Sequence, residues 1–192
     1  MIRTFIAYEI AETQKDAIQE VIEKGQSAFP REIKWVEPEN LHFTYLFLGD
    51  IYPADQNIVC EMLQKYAATM PVISIKDGKL RWNSVYQPKV AWIEYDIQSR
   101  DFLKFRKKMI YELTQELPYL ALDTKEYRCH LTLGRVRKEY IENIDITKIG
   151  EIDQNLSKAE ITFDNLTFYQ SHLTTKGPIY TKIINIKLSG GN

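Results

Sequence analysis

Apolar and polar positions change period repeatedly along the chain, and each change predicts an element. Ile2 to Glu9 is β-rich and predicts a first strand. Thr13-Gln14-Lys15-Asp16 then matches a capping box opening a helix, in which Ala17, Ile18, Val21 and Ile22 recur at helical spacing. Trp35 to Gly49 returns to strand character. Pro53-Ala54-Asp55 opens a second helix with Ile58, Val59, Met62, Leu63 and Tyr66 on its apolar stripe. Val72 to Trp82 and Lys89 to Tyr95 read as two strands joined by a turn near Gln87-Pro88. A third helix follows Ser99, with Phe102, Leu103, Phe105, Met109, Ile110 and Leu113 on its buried side. Cys129 to Val136, Ala159 to Tyr169 and Tyr180 to Leu188 are strands again. Arg137 to Lys158 is polar and weakly periodic, a loosely ordered excursion. Ser171 to Pro178 is a loop or hairpin connection broken by Gly177-Pro178. Strands and helices alternate without a Pro/Gly/Ser linker, so the expected class is α+β: antiparallel sheets with helices on their outer faces.

Composition narrows the chemistry. A chain of 192 residues with 44% hydrophobic content buries a core without disulfides or a structural metal. Its formal net charge is −1, so nucleic acid would be held by a local patch and not by the field of the whole molecule. A small anion or a single RNA end fits that balance better than a duplex. The two cysteines, Cys60 and Cys129, have no ligand or disulfide spacing, which suits a reducing, cytoplasmic setting. The N-terminus lacks a signal-peptide apolar region, and no stretch is long enough to span a membrane. Nothing points to an oligomer, so a monomer is expected. Phosphate-cradling glycine motifs and a Gly-x-Ser-x-Gly elbow are missing from the sequence.

One internal echo carries chemistry. Leu41-His42-Phe43-Thr44-Tyr45-Leu46 and Cys129-His130-Leu131-Thr132-Leu133-Gly134 share the form apolar-His-apolar-Thr-apolar, each within a β-rich segment. Alternation on a strand sends His42 and Thr44 to one face and Phe43 and Tyr45 to the other. It likewise groups His130 with Thr132 against Leu131 and Leu133. Two such pairs facing one another suit a phosphodiester, with no cofactor and no metal. One imidazole takes a proton from water, the other protonates the leaving alkoxide, and the threonine hydroxyls donate to the non-bridging oxygens. A lone His-x-Thr is a weak signal, but two of the chain's three histidines fall in it. The third, His172, sits in a polar stretch and reads as a surface residue. Cys129 reads as a small buried residue, since alternation turns its thiol away from His130.

The segment from Trp35 to Asp50 resembles the first signature of the RNA 2′,3′-cyclic phosphodiesterases, also described as 2′-5′ RNA ligases, of the two-histidine phosphoesterase superfamily. Tyr127 to Val136 resembles the second. Phe5-Ile6-Ala7, Val90-Ala91-Trp92, Leu166 to Ser171 and Gly177 to Tyr180 extend the likeness over essentially the whole chain. The resemblance implies one bilobal domain over residues 1–192, its two pseudo-symmetric lobes facing a central cleft. It implies hydrolysis of a terminal RNA or nucleotide 2′,3′-cyclic phosphate to a 2′-phosphate, with His42 and His130 as acid/base pair and Thr44 and Thr132 holding phosphate. The alternatives are 2′-5′ ligation, another activity of the superfamily on a small cyclic nucleotide, and a non-catalytic RNA- or nucleotide-binding module. A basic residue often follows the second motif in this family; here it is Arg135. In a regular strand Arg135 has the wrong parity to share the cleft face with His130, unless a bulge at Gly134 turns it inward. Arg128 has the right parity and is a second candidate. Cys129 stands where the family commonly has proline.

Overall fold

A computed structural model describes residues 1–152, 160–175 and 177–190. In chain order its elements are β1 (Ile2–Glu9), α1 (Glu12–Ala28), β2 (Ile33–Trp35), β3 (His42–Ile51), α2 (Gln56–Ala67), β4 (Ile73–Ile75), β5 (Lys79–Trp82), β6 (Val90–Tyr95), α3 (Arg100–Glu116), β7 (Cys129–Val136), β8 (Ile161–Phe163), β9 (Asn165–Thr174) and β10 (Gly177–Lys187). The class is α+β. Antiparallel strands run in the order β10-β9-β1-β3-β7-β6-β5, with β2 added against β7, while β4 and β8 form a small ribbon apart. The two motif strands, β3 and β7, are neighbours at the middle of this sheet. They pair through Phe43 opposite Leu131 alone. The two halves are therefore flanks of one sheet, hinged on that bridge.

The three helices bury their apolar faces on one side of the sheet. There Ile6, Tyr8, Phe43, Tyr45, Leu131 and Leu133 meet Ile18, Val21, Val59, Leu63, Phe102 and Met109 in the main core. Phe43 and Leu131 are both fully buried. The opposite face keeps only a small apolar cluster of Phe5, Ala7 and Tyr169, with Tyr180 packed against it. The sheet's open face is the cleft.

Several boundaries differ from the sequence expectation for local reasons. Helix α1 begins at Glu12 after Ala11, which makes no side-chain cap, so Thr13 to Asp16 is not a capping box. Glu12 in the first turn complements the helix dipole and pairs with Lys15 at 2.6 Å. Ser99 does cap α3, accepting the Phe102 N–H at 3.2 Å. On α3 the buried charge is Arg106, while Leu103 and Phe105 are only partly buried. The stretch from Trp35 to Gly49 is interrupted by a 3₁₀ turn at Pro38–Asn40, and Pro53–Asp55 forms another before α2 starts at Gln56. Val72 to Trp82 breaks at Asp77, whose φ of 58° ends strand geometry, so β4 and β5 join different sheets. The expected strand from Ala159 divides at Asp164 into β8 and β9. Strands β9 and β10 make the expected hairpin, longer than the alternation suggests. Arg137 to Ile152 contains two short 3₁₀ segments. Residues 153–159, which include the end of the expected excursion, and Lys176 lie outside the described residues.

Candidate active site

Strand β3 presents His42 and Thr44 on the open face, and β7 presents His130 and Thr132 there. All four are partly exposed, whereas Phe43, Tyr45, Leu131 and Leu133 between them are buried. The Phe43–Leu131 register, continued one residue each way, sets His42 across from Thr132 and Thr44 across from His130. Each imidazole thus faces the hydroxyl of the other motif across a local twofold relation.

The histidines are held alike. His42 Nδ1 lies 2.7 Å from the Asn40 carbonyl, and His130 Nδ1 lies 2.9 Å from the Arg128 carbonyl, each two residues upstream. A carbonyl only accepts, so both Nδ1 atoms carry the proton, and in each neutral ring Nε2 keeps its lone pair. Burial pushes His42 below the usual imidazole range. The bond to Asn40 acts in the opposite direction, and the charge of His130 adds to the depression. Its rings explain the burial: Phe5 lies 4.9 Å away centroid to centroid, and Tyr180 stands edge-on at 5.1 Å.

Strand pairing also brings in residues that motif reading missed. Glu9 on β1 is the cross-strand neighbour of His42, and Glu94 on β6 is that of His130. Glu9 Oε1 accepts from Thr167 at 2.9 Å and Tyr169 at 2.7 Å, and Oε2 accepts from Lys182 at 2.8 Å. Burial opposes its ionisation, but these bonds outweigh burial and hold the carboxyl below its usual range. Glu94 faces Arg81 at 4.0 Å, and Trp92, opposite Thr132, approaches the His130 ring at 5.5 Å. Alternation within β1 and β6 placed these residues on a face; only the pairing register placed them beside the histidines.

Both motif strands bulge just past their threonine. Opposite β1, the register passes from Thr44 to Leu46 and skips Tyr45; opposite β6 it passes from Thr132 to Gly134 and skips Leu133. The displaced carbonyls are recaptured. Thr44 O accepts from Tyr127 Oη at 3.0 Å, Tyr45 O from Arg106 Nε at 3.1 Å, and Leu133 O from Val36 N at 2.8 Å. Each bulge inverts the parity beyond it. Arg135 therefore pairs with Val90, on the face of Trp92 and Glu94, and acts electrostatically on Tyr180 above His42. Phe47 is turned outward in the same way on β3, 64% exposed. Arg128 lies at the other end, lining a cavity of about 470 Å³ together with Thr44 and His130. Cys129 is buried on the core face, and burial pushes its thiol far up, so it is no nucleophile. His172 is exposed on β9. Among the described residues no three His, Cys, Asp or Glu side chains converge as metal ligands.

Residues 9–92 match the family model described as LigT like Phosphoesterase. A protein of Thermotoga maritima named RNA 2′,3′-cyclic phosphodiesterase is 30% identical over 98% of this chain and 97% of its own length. The chain belongs to the LigT-like phosphoesterases. Membership makes it a hydrolase of the cyclic phosphodiesterase group. The LigT-like fold is visible directly: the crystal structure of TT0787 of Thermus thermophilus superposes with TM-score 0.78 at 20% identity, covering 100% of both chains. E. coli LigT complexed with 3′-AMP gives TM-score 0.70 at 17% identity over 98% of each chain. No helix among the described residues is long and apolar enough to cross a membrane.

Proposed function

We propose that this LigT-like protein opens the 2′,3′-cyclic phosphate at an RNA or nucleotide end, using His42 and His130 as its acid/base pair. The observation that carries the assignment is the matched anchoring of both rings. Each Nδ1 is spent on a main-chain carbonyl, leaving two Nε2 atoms for proton transfer. A binding module needs no such matched pair.

Water attacks phosphorus as one Nε2 takes its proton. The bond from phosphorus to the 3′-oxygen breaks, and the other imidazole, protonated, gives its proton to that oxygen. The products are a 2′-phosphate and a free 3′-hydroxyl. The two rings exchange protonation states in the step and are reset through solvent. Thr44 and Thr132 donate to the non-bridging oxygens, where charge grows in the transition state. Arg135, turned into the cleft by the β7 bulge, adds positive charge there. The burial of His42 weights its resting state toward the neutral, proton-accepting ring. The substrate class follows the name of the T. maritima relative, and the 3′-AMP complex of E. coli LigT is consistent with a nucleotide in the cleft. The free cysteines Cys60 and Cys129 fit a cytoplasmic enzyme, which we take to act as a monomer and as one bilobal unit.

The test is turnover of 2′,3′-cyclic nucleotides in EDTA by the wild type, His42→Ala and His130→Ala. Each removal is expected to cost about 10²–10⁴-fold, with one limb of a bell-shaped pH profile lost in each variant. The variant that loses the acidic limb has lost the base. Undiminished turnover in either variant overturns the assignment, and loss of wild-type turnover in EDTA overturns metal independence.

A further inference from the structure

The local twofold relation breaks at one pair of positions. Five residues past His130 stands Arg135, and five past His42 stands Phe47, each swung onto the open face by its strand's bulge. One end of the cleft therefore carries a phosphate-binding cation and the other an exposed aromatic ring. Phe47 touches only Phe5 among aromatic neighbours, at 6.2 Å between centroids, and lies on the cavity that Thr44 and His130 also line.

That cavity has a cationic wall. Arg106 is only 8% exposed, and its guanidinium donates to the carbonyls of Tyr45, Asp123 and Lys125 at 3.1, 3.2 and 3.4 Å. Among the described residues it has no carboxylate partner, so dipoles alone screen its charge. A buried cation so arranged leaves a positive field in the space beside it. Lys125 and Arg128 stand exposed on the rim, unpaired with carboxylates among the described residues. The opposing acids are Asp123, whose Oδ1 is engaged by the Lys125 N–H at 2.9 Å, and Glu126. At about 470 Å³ the space falls within the range of small-ligand sites, about 300–1,000 Å³.

We infer that this cavity is a second nucleotide subsite, taking the residue on the 5′ side of the cyclic end. Phe47 stacks its base, and Lys125 and Arg128, over the field of Arg106, face the connecting phosphodiester. The inference rests on the proposed reaction for the identity of the neighbouring cyclic phosphate. A stacked base with a neutralised phosphate is how single-stranded nucleic acid is held without sequence readout. The enzyme therefore prefers an oligonucleotide end to a free cyclic nucleotide.

The experiment compares kcat/KM for adenylyl-(3′→5′)-adenosine 2′,3′-cyclic phosphate with that for adenosine 2′,3′-cyclic phosphate. The wild type is expected to favour the dinucleotide at least tenfold. That ratio is expected to fall about 5- to 100-fold in Phe47→Ala and again in Lys125→Ala, mainly through KM, and to return in Phe47→Trp. Equal turnover of both substrates by the wild type, or an unchanged ratio in both alanine variants, overturns the subsite and leaves the reaction standing. If neither substrate is turned over, the proposed reaction fails instead. Calorimetric binding of the dinucleotide 2′-phosphate then decides the subsite: affinity weakened by Phe47→Ala and Lys125→Ala supports it, and unchanged affinity sinks it.

Discussion

Removing the ring of Phe43 tests whether the single bridge between β3 and β7 sets the spacing of the two histidines. The Phe43 ring is fully buried, with the rings of Phe163 at 4.9 Å and Tyr95 at 5.6 Å, and it lies between His42 and Thr44. Phe43→Ala leaves a cavity that rigid neighbouring strands fill only in part, at a cost of about 3–5 kcal/mol. For a chain of this size each kcal/mol moves Tm by about 2–4 °C, so a drop of roughly 6–20 °C is expected. Phe43→Leu keeps most of the apolar volume and is expected to lose a third of that or less. The functional consequence separates positioning from stability. Relaxation of the bridge by about 1 Å is enough to cost on the order of 10²-fold in rate. Thermal melts would be paired with kcat/KM at 20 °C, where circular dichroism shows each variant folded. The expected result is a loss in kcat/KM for Phe43→Leu well beyond the fraction unfolded. A folded Phe43→Ala variant with wild-type kcat/KM would refute the claim that this bridge sets the catalytic geometry.

The threonines should act on rate and not on stability. Thr44→Val and Thr132→Val each remove one hydrogen bond to a charged phosphate, about 1.5–3 kcal/mol or roughly 10- to 150-fold in kcat/KM, with Tm nearly unchanged. A stability-versus-pH series tests the burial of His42. Its depressed pKa means the unfolded chain binds the proton more readily, so its contribution is complete above 6.5 and is lost as pH falls below that value. Urea midpoints from pH 8 to 5 should fall more steeply for wild type than for His42→Gln, and coincident curves would contradict the depressed pKa. Glu9 follows the carboxylate rule, with its contribution present above 4.5 and lost as pH falls through its lowered value; Glu9→Gln should flatten the acid limb of the same series. At the β7 bulge, a Cβ added to Gly134 would come within 2.5 Å of Ile33 Cγ2 and 3.2 Å of the Lys34 carbonyl. Gly134→Ala should therefore cost about 1–3 kcal/mol, read as a lower Tm.

Alternation by itself told which motif residues face the core, because a strand's period of two is a local property that holds wherever the strand is regular. It also fixed Cys129–Val136, the Ser99 cap and the existence of three amphipathic helices, all written within a few residues of where they act. The tertiary structure decided what depends on a partner strand. Skipping Tyr45 and Leu133 in the pairing reverses the parity beyond them, which is why Arg135 and Phe47 reach the cleft against simple alternation. Glu9 and Glu94 became neighbours of the histidines only through cross-strand register. Arg106 sits at a buried helical position where sequence alone would place an apolar residue. The carbonyls that justify its burial come from β3 and from the loop before β7, 17 to 61 residues away along the chain. Side-chain chemistry was legible in the chain; the register that gathers it is a property of strands that meet only when folded.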